Sequence, residues 1–244
     1  KAVRKGVTDY LRYVFKVLNF YSPAIPIIAE GLNKTKEENI IELCSGGGGP
    51  VETMQKKLFT ILNRKIKIIL TDKYPNVNTY EYIKAKTKGD IDYISESVDA
   101  TMVHKETKGF RTMFTAFHHF KPEEAVAILK NAVDQSTGIA IFDVGDRSFF
   151  TLFGNLIINP VAIITCTPFF RPFSFSRIFY TYIVPLIPFC AMWDGVVSMF
   201  RLYSVEEVAE LIKKLDTEKY TWKVGKVKNK IGMGMFYLVG YPEK

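Results

Sequence analysis

The chain has 244 residues, 48% of them hydrophobic, which is enough for one large domain with a full core and too few for a second complete one. Its formal net charge of +8 is carried mostly by lysines spread along the sequence, with no dense arginine-bearing stripe, so nucleic acid is not expected as a partner. The three cysteines, Cys44, Cys166 and Cys190, are odd in number and lack metal-ligand spacing, so no metal site is expected and a reduced, cytoplasmic compartment is the natural setting. No secretory signal is visible; the sequence begins at Lys1 without a methionine, which leaves targeting upstream of it open.

Residues 8–20 place Leu11, Val14, Phe15 and Leu18 on one helical face, and Pro23 and Pro26 punctuate the approach to a second short helix ending near Gly31. Residues 40–50, IIELCSGGGGP, read as strand, tight loop and helix, with Pro50 suited to the first helical position. A glycine run there lets backbone N–H groups approach a ligand at the carboxyl end of a buried strand. Two nucleotide-binding patterns are absent. A phosphate-cradling loop needs Gly-Lys-Ser/Thr after its glycines, and a dinucleotide fingerprint needs a glycine where Val51 stands.

Val51, Met54, Leu58 and Ile61 then recur at helical spacing, and Ile66, Ile68, Ile69 and Leu70 read as a buried strand ending at Thr71-Asp72. An acid at that tip can accept both hydroxyls of a ribose, although strand-end aspartates also serve as helix caps and turn formers. Residues 91–95 form a third strand, followed by Ser97-Val98-Asp99-Ala100. Residues 111–120 are a fourth strand and its tip, ending in His118-His119, and Lys121-Pro122-Glu123-Glu124 opens a helix that buries Ala125, Ile128, Leu129 and Ala132. Adjacent histidines in an extended segment cannot easily share a metal, and no Cys/His cluster completes a ligand set. Residues 138–144 are the fifth strand, with Asp143, Asp146 and Arg147 at or beyond its tip.

Between residues 148 and 193 the only charged side chains are Arg171 and Arg177, in a stretch rich in Phe, Ile and Pro. An insertion of that size needs its own explanation. Three readings compete: a transmembrane segment, a lid over a pocket, or a surface that dips into a bilayer. Asn155, Asn159 and Pro160 interrupt the first half and Pro185 and Pro188 the second, which argues against a span and favours a lid beside the fifth strand. Exposed aromatics in the same segment would bind membrane surfaces. Ser204-Val205-Glu206-Glu207 is a capping box opening a helix through Leu211, and residues 220–227 and 233–240 read as a closing antiparallel pair.

Taken in order, these motifs resemble the Rossmann-like, class I methyltransferases that use S-adenosylmethionine. Glu42, Cys44, Gly46 and Gly48 occupy the places of the motif acidic-x-Gly-x-Gly-x-Gly, with Cys44 where the family has its first glycine. The resemblance covers roughly residues 40–144, with compatible patterns to the C-terminus; WDGVVSMFRLYS and the wording of the glycine motif look like a group of bacterial small-molecule methyltransferases of unknown acceptor. It implies an α/β fold in a single domain, residues 1–244, with a seven-stranded, mostly parallel sheet, helices on both faces and an antiparallel C-terminal strand. Residues 1–38 would be a helical cover and residues 148–202 an apolar lid-like insertion.

The resemblance also implies S-adenosyl-L-methionine as cofactor. Glu42, Cys44, Ser45, Gly46, Gly47, Gly48, Asp72 and Lys73 would hold it, with Val98, Asp99 and Ala100 around the adenine and Phe117 and His118 along the methionine part. His118, His119 and Asp143 are the strand-tip candidates for a general base. Arg171, Arg177 and Trp193 are the candidates for holding an acceptor, which would be a hydrophobic small molecule or lipid-like compound methylated at O or N. Peripheral membrane contact fits the same insertion. The competing reading is a protein that kept the fold and serves, without catalysis, as a membrane-surface or interaction module. A nucleic-acid methyltransferase is disfavoured, because the Pro-Pro-Tyr/Phe/Trp signature is absent after the fourth strand and the insertion is greasy where a basic groove would be wanted.

Overall fold

The computed structural model describes residues 2–215, 218–229 and 232–243; Lys1 and Lys244, the two ends of the expected single domain, lie outside them. Helices α1 (Ala2–Val17) and α2 (Ala24–Thr35) precede strand β1 (Asn39–Leu43). The chain then alternates through α3 (Val51–Leu62), β2 (Lys67–Leu70), α4 (Val77–Lys86), β3 (Ile91–Tyr93), β4 (Phe110–Phe114), α5 (Pro122–Asp134) and β5 (Ile139–Val144). After a helical insert come α10 (Val205–Ile212), β6 (Tyr220–Lys228) and β7 (Gly234–Pro242).

The seven strands form one sheet in the order β3-β2-β1-β4-β5-β7-β6. The first five run parallel, and β7 is antiparallel to both β5 and β6. Because β1 pairs β2 on one side and β4 on the other, the connection reverses direction there, and a crevice opens at the carboxyl ends of β1 and β4. Successive strand residues point to opposite faces, which splits the core in two. Ile40, Phe110 and Phe142 pack with α2, α3 and α4, whereas Ile41, Met113 and Ile141 pack with α5 and α10.

Several boundaries differ from the sequence reading: helix α1 starts six residues before the expected residue 8 and ends at Val17, three short of 20, and β7 runs on to Pro242. Helix α2 runs four residues beyond Gly31, because this glycine is an approach point and not a stop: a Cβ there would lie 2.5 Å from the Phe110 ring. Strand β3 ends at Tyr93, two residues short of the expected 91–95. The capping box is as read, with Ser204 and Glu207 exchanging hydrogen bonds at the start of α10.

The insert begins with one rod, residues Phe149–Phe169, comprising α6 (Phe149–Phe153), a π-helical turn (Gly154–Ile158), α7 (Asn159–Cys166) and a short tight turn. Asn155, Asn159 and Pro160, expected as interruptions, mark its wide turn and leave it continuous. Pro160 stands at the start of α7, where the loss of an N–H is absorbed by the changed hydrogen-bond spacing. Helix α8 (Phe175–Ile178), with its π-helical continuation Phe179–Ile183, meets α9 (Leu186–Arg201) at a bend of 79°. Tyr10 of α1 joins Ile163, Phe170, Ile187 and Ala191 in a third, smaller core that fastens the insert to α1.

Candidate active site

At the end of β1 the chain turns sharply. Cys44 sits at φ 55°, Gly46 at 53° and Gly48 at 95°, a left-handed run that only glycine adopts freely. For Cys44 this conformation costs on the order of 1–2 kcal/mol, which identifies its place as one suited to glycine. Ser45 locks the turn: its N–H donates to Thr71 O at 2.9 Å and its hydroxyl to Glu42 O at 2.8 Å. Gly46 N–H donates to Asp72 Oδ2 at 2.8 Å, and Asp72 Oδ1 accepts the Tyr74 N–H at 2.7 Å. A carboxylate has about four acceptor positions, so two backbone donors leave room for two hydroxyls.

Gly47 and Gly48 also make room for the protein itself. A Cβ on Gly47 would lie 2.6 Å from Thr8 O of α1, and one on Gly48 would lie 2.5 Å from the Ile83 side chain. Helix α1 therefore roofs the glycine loop, and Gly47 is needed for that contact whatever else the loop binds.

Glu42 lies beneath the loop, fully buried, and accepts a hydrogen bond from the Thr112 hydroxyl. It borders neither of the two cavities described below. Burial pushes its pKa up to about 8, so the carboxyl is held protonated at neutral pH. A carboxyl whose folded pKa is raised makes stability fall as pH rises from the ordinary carboxyl value towards 8. Glu42→Gln, which mimics the protonated form, should therefore raise stability by on the order of 1–3 kcal/mol at neutral pH and flatten this decline. Thermal melts of both proteins across that range, without ligand, check it; parallel pH dependences would show that Glu42 is ionised in the fold.

Two cavities flank the crevice. The smaller, about 290 Å³, is lined by Cys44, Lys73, Asp99 and Ala100, all expected as cofactor residues, together with Glu123 and Glu124 of α5. Asp99 caps the turn Ala100–Met102: its Oδ1 accepts the Thr101 N–H at 3.0 Å and hydroxyl at 2.7 Å, while Oδ2 pairs with Lys73 at 2.8 Å. Lys73 and then Thr101 hold the Asp99 carboxyl down to about 2. Any amine reaching Asp99 must share it with Lys73. Val98 is fixed by its N–H to Asp72 O at 3.0 Å, and burial pushes the Cys44 thiol up, away from thiolate chemistry.

The larger cavity, about 520 Å³, lies at the tips of β4 and β5 under α1 and the insert, with mostly apolar walls. Thr115, His118, His119 and Gly145 come from the strand tips and Asp194 from α9. Thr115 has φ 48°, uncommon for a β-branched residue, and its hydroxyl meets that of buried Tyr21. Neither was singled out from sequence, because nothing in the local pattern announces a left-handed threonine.

His118 is 3% exposed, and its backbone N–H donates to Asp143 Oδ2 at 3.1 Å. Its Nδ1 lies 3.2 Å from the same oxygen without full hydrogen-bond alignment, and Nε2 is buried with no partner among the described residues. Burial, the largest influence, opposes charge on this ring, yet Asp143 outweighs it and leaves the pKa above the ordinary histidine value. His119, exposed where it meets the cavity, is displaced the other way, by the protein around it and then by His118. Phe117 is buried against Tyr203, with ring centroids 5.3 Å apart, and lines neither cavity.

The three residues expected to hold an acceptor are placed elsewhere. Arg177 is buried in an ion pair with Asp9 at 2.6 Å, Arg171 is exposed and donates to Pro168 O at 3.0 Å, and Trp193 is 62% exposed. None of them lines the larger cavity. Each is a polar or aromatic group in an apolar stretch, and the sequence does not show whether such a group faces the cavity. Among the described residues no group of three His, Cys, Asp or Glu side chains is placed to hold a metal ion.

No protein-family model and no curated protein matches this sequence. Solved structures do match. An S-adenosylmethionine-dependent methyltransferase from Aquifex aeolicus superposes at TM-score 0.50 and 14% identity, covering 92% of each chain. The mitomycin 7-O-methyltransferase MmcR gives 0.51 at 11%, over 91% of this chain and 54% of its own, so the chain spans about half of that enzyme's length. A structure described as a zinc-dependent alcohol dehydrogenase from Rhodobacter sphaeroides gives 0.54 at 15%, over 99% and 98%. Likeness at these identities speaks for the fold alone. With the strand order and the glycine turn at the β1 tip, the fold is the Rossmann-like fold of class I methyltransferases.

Proposed function

We propose that the chain transfers a methyl group from S-adenosylmethionine to a hydrophobic small-molecule or lipid-like acceptor bound in the larger cavity. The observation that carries this reading is the pair of cavities beside the β1 and β4 tips: one bordered by Cys44, Lys73, Asp99 and Ala100, the other apolar with His118 in its wall. Asp72, like Ser45 and Gly46 to Gly48, lines neither cavity, but it keeps acceptor capacity for ribose hydroxyls after taking its two backbone N–H groups. The bound cofactor would supply an electrophilic methyl on a sulfonium. The protein's share is to align an acceptor and keep water away, work for which mostly apolar walls are suited and a dense anionic site is not. His118 takes the proton of an acceptor hydroxyl or amine at Nε2, and Asp143 supports the charge that forms. The insert acts as the lid. A cytoplasmic setting with contact to a membrane surface suits such an acceptor.

Isothermal titration with S-adenosylmethionine tests the reading. Asp72→Ala removes two charge-assisted hydrogen bonds to the ribose, each worth about 1.5–3 kcal/mol, and should weaken binding at least tenfold. Unchanged affinity in a folded Asp72→Ala protein, or no binding by the parent chain, would sink it. The exposed apolar face of the insert favours one alternative, a membrane-surface module without catalysis, which would show no cofactor binding at all.

A further inference from the structure

We propose that the insert is a docking platform for anionic lipid bilayers, and that it seats the mouth of the larger cavity on the membrane surface. Its helices are amphipathic in the sense opposite to those of an ordinary soluble domain. On the rod, Phe149, Phe153, Ile157, Val161 and Ile164 are all exposed, whereas Asn155 and Asn159 face the protein. Asn155 donates to Gly195 O of α9 at 2.9 Å, and Asn159 donates to Asn155 at 2.8 Å and accepts the Tyr10 hydroxyl of α1 at 2.8 Å. Helix α9 repeats the arrangement with Leu186, Phe189, Trp193 and Phe200 outward. Between the two, Phe175 is 82% exposed and Ile183 69%. A surface of this kind is far larger than the isolated apolar residues a soluble monomer normally shows, and it asks for an apolar phase outside.

Three further observations select a bilayer. Around the apolar face Arg147, Arg171 and Arg201 are exposed against the acids Asp146 and Asp194, and residues 148–193 themselves hold no acid, a small cationic excess that suits anionic headgroups. Second, the apolar face continues into the cavity: Phe150 and Ile158 of the rod, Val17 at the end of α1 and Leu18 just after it are each exposed and each border it. Third, the rod is tied to α1 and α9 through Asn155 and Asn159 and by the core around Ile163, so it lies along the protein, in the plane of an interface, although its 21 residues are long enough to cross. Entry of a lipid-like acceptor from the bilayer rests on the methyltransferase reading; the docking itself does not.

The test is co-sedimentation of the full chain with vesicles of phosphatidylcholine alone and of phosphatidylcholine mixed with phosphatidylglycerol. The chain should bind the anionic vesicles at least tenfold more tightly, and added salt should weaken the difference. Phe149→Ser, Phe175→Ser and Ile183→Ser together remove exposed side chains that line neither of the two cavities, and should cut vesicle binding at least tenfold while leaving S-adenosylmethionine affinity unchanged. Absence of binding to either vesicle overturns the proposal. So does a discrete dimer in light scattering that the triple variant converts to monomer, because the face would then be a protein interface. Asp72→Ala should still bind vesicles, which separates failure of the docking proposal from failure of the cofactor site.

Discussion

Replacing His118 by alanine should lower turnover by about 100-fold or more while cofactor affinity stays within a few-fold. The expectation follows from placement: His118 borders the larger cavity, its Nε2 lacks a partner among the described residues, and Asp143 stands 3.2 Å from its other nitrogen. A base must be neutral to accept a proton. Because Asp143 overcomes burial and raises the His118 pKa, turnover should climb with pH along a limb displaced above the ordinary histidine value of about 6.5. Asp143→Asn removes the supporting charge and should move that limb down, a readout that a merely structural role would not shift. The same raised pKa gives the fold stability that is fully present below about 6.5 and is lost as pH rises through the folded value. His119 is displaced downward, because burial and then His118 outweigh Asp194 and Asp143, so His119→Ala should keep most of the turnover. Near-normal rates in both alanine variants on the true acceptor would leave only a positional role for the pair.

How much of this could be read from the chain follows from the range of the forces involved. Strand and helix periods are local, so the β1 turn, the buried second strand, the capping box at Ser204 and the closing strands were all visible in the sequence. So was the crevice, because glycines after a buried strand and an acid at the next strand tip follow from backbone geometry. What sequence could not give is pairing across distance. Gly31 was read as a helix end because nothing local reveals the Phe110 ring that needs its missing side chain. Asn155, Asn159 and Pro160 were read as breaks because their partners, Tyr10 and Gly195, lie far along the chain. Arg177 was read as a ligand for substrate because an arginine in an apolar stretch needs an anion, and the sequence does not say that the anion is Asp9, 168 residues away. In each case the local physics was read correctly and the partner was missing.

Breaking that last pair should have the largest effect on stability of any single substitution considered. Arg177 donates to Asp9 Oδ2 at 2.6 Å, and its second amino group reaches Phe170 O at 2.9 Å and Pro172 O at 2.8 Å. Asp9 also accepts the Thr79 hydroxyl of α4 at 3.3 Å, so one carboxylate joins α1, α4 and the insert. Both side chains are almost wholly buried. Arg177→Met leaves Asp9 charged without its chief partner and should cost about 3–5 kcal/mol, whereas Asp9→Asn combined with Arg177→Met should recover part of the loss, because the price of a buried pair lies largely in stripping water from its charges. Urea melts of the single and double variants measure this directly. Since α1 carries Asp9 on the turn that roofs Gly47, the loss should appear first as faster hydrogen exchange in residues 2–17 and 149–201, with the sheet still protected. An Arg177→Met protein with the parental midpoint and unchanged exchange in both segments would mean that the insert is held by its apolar contacts alone.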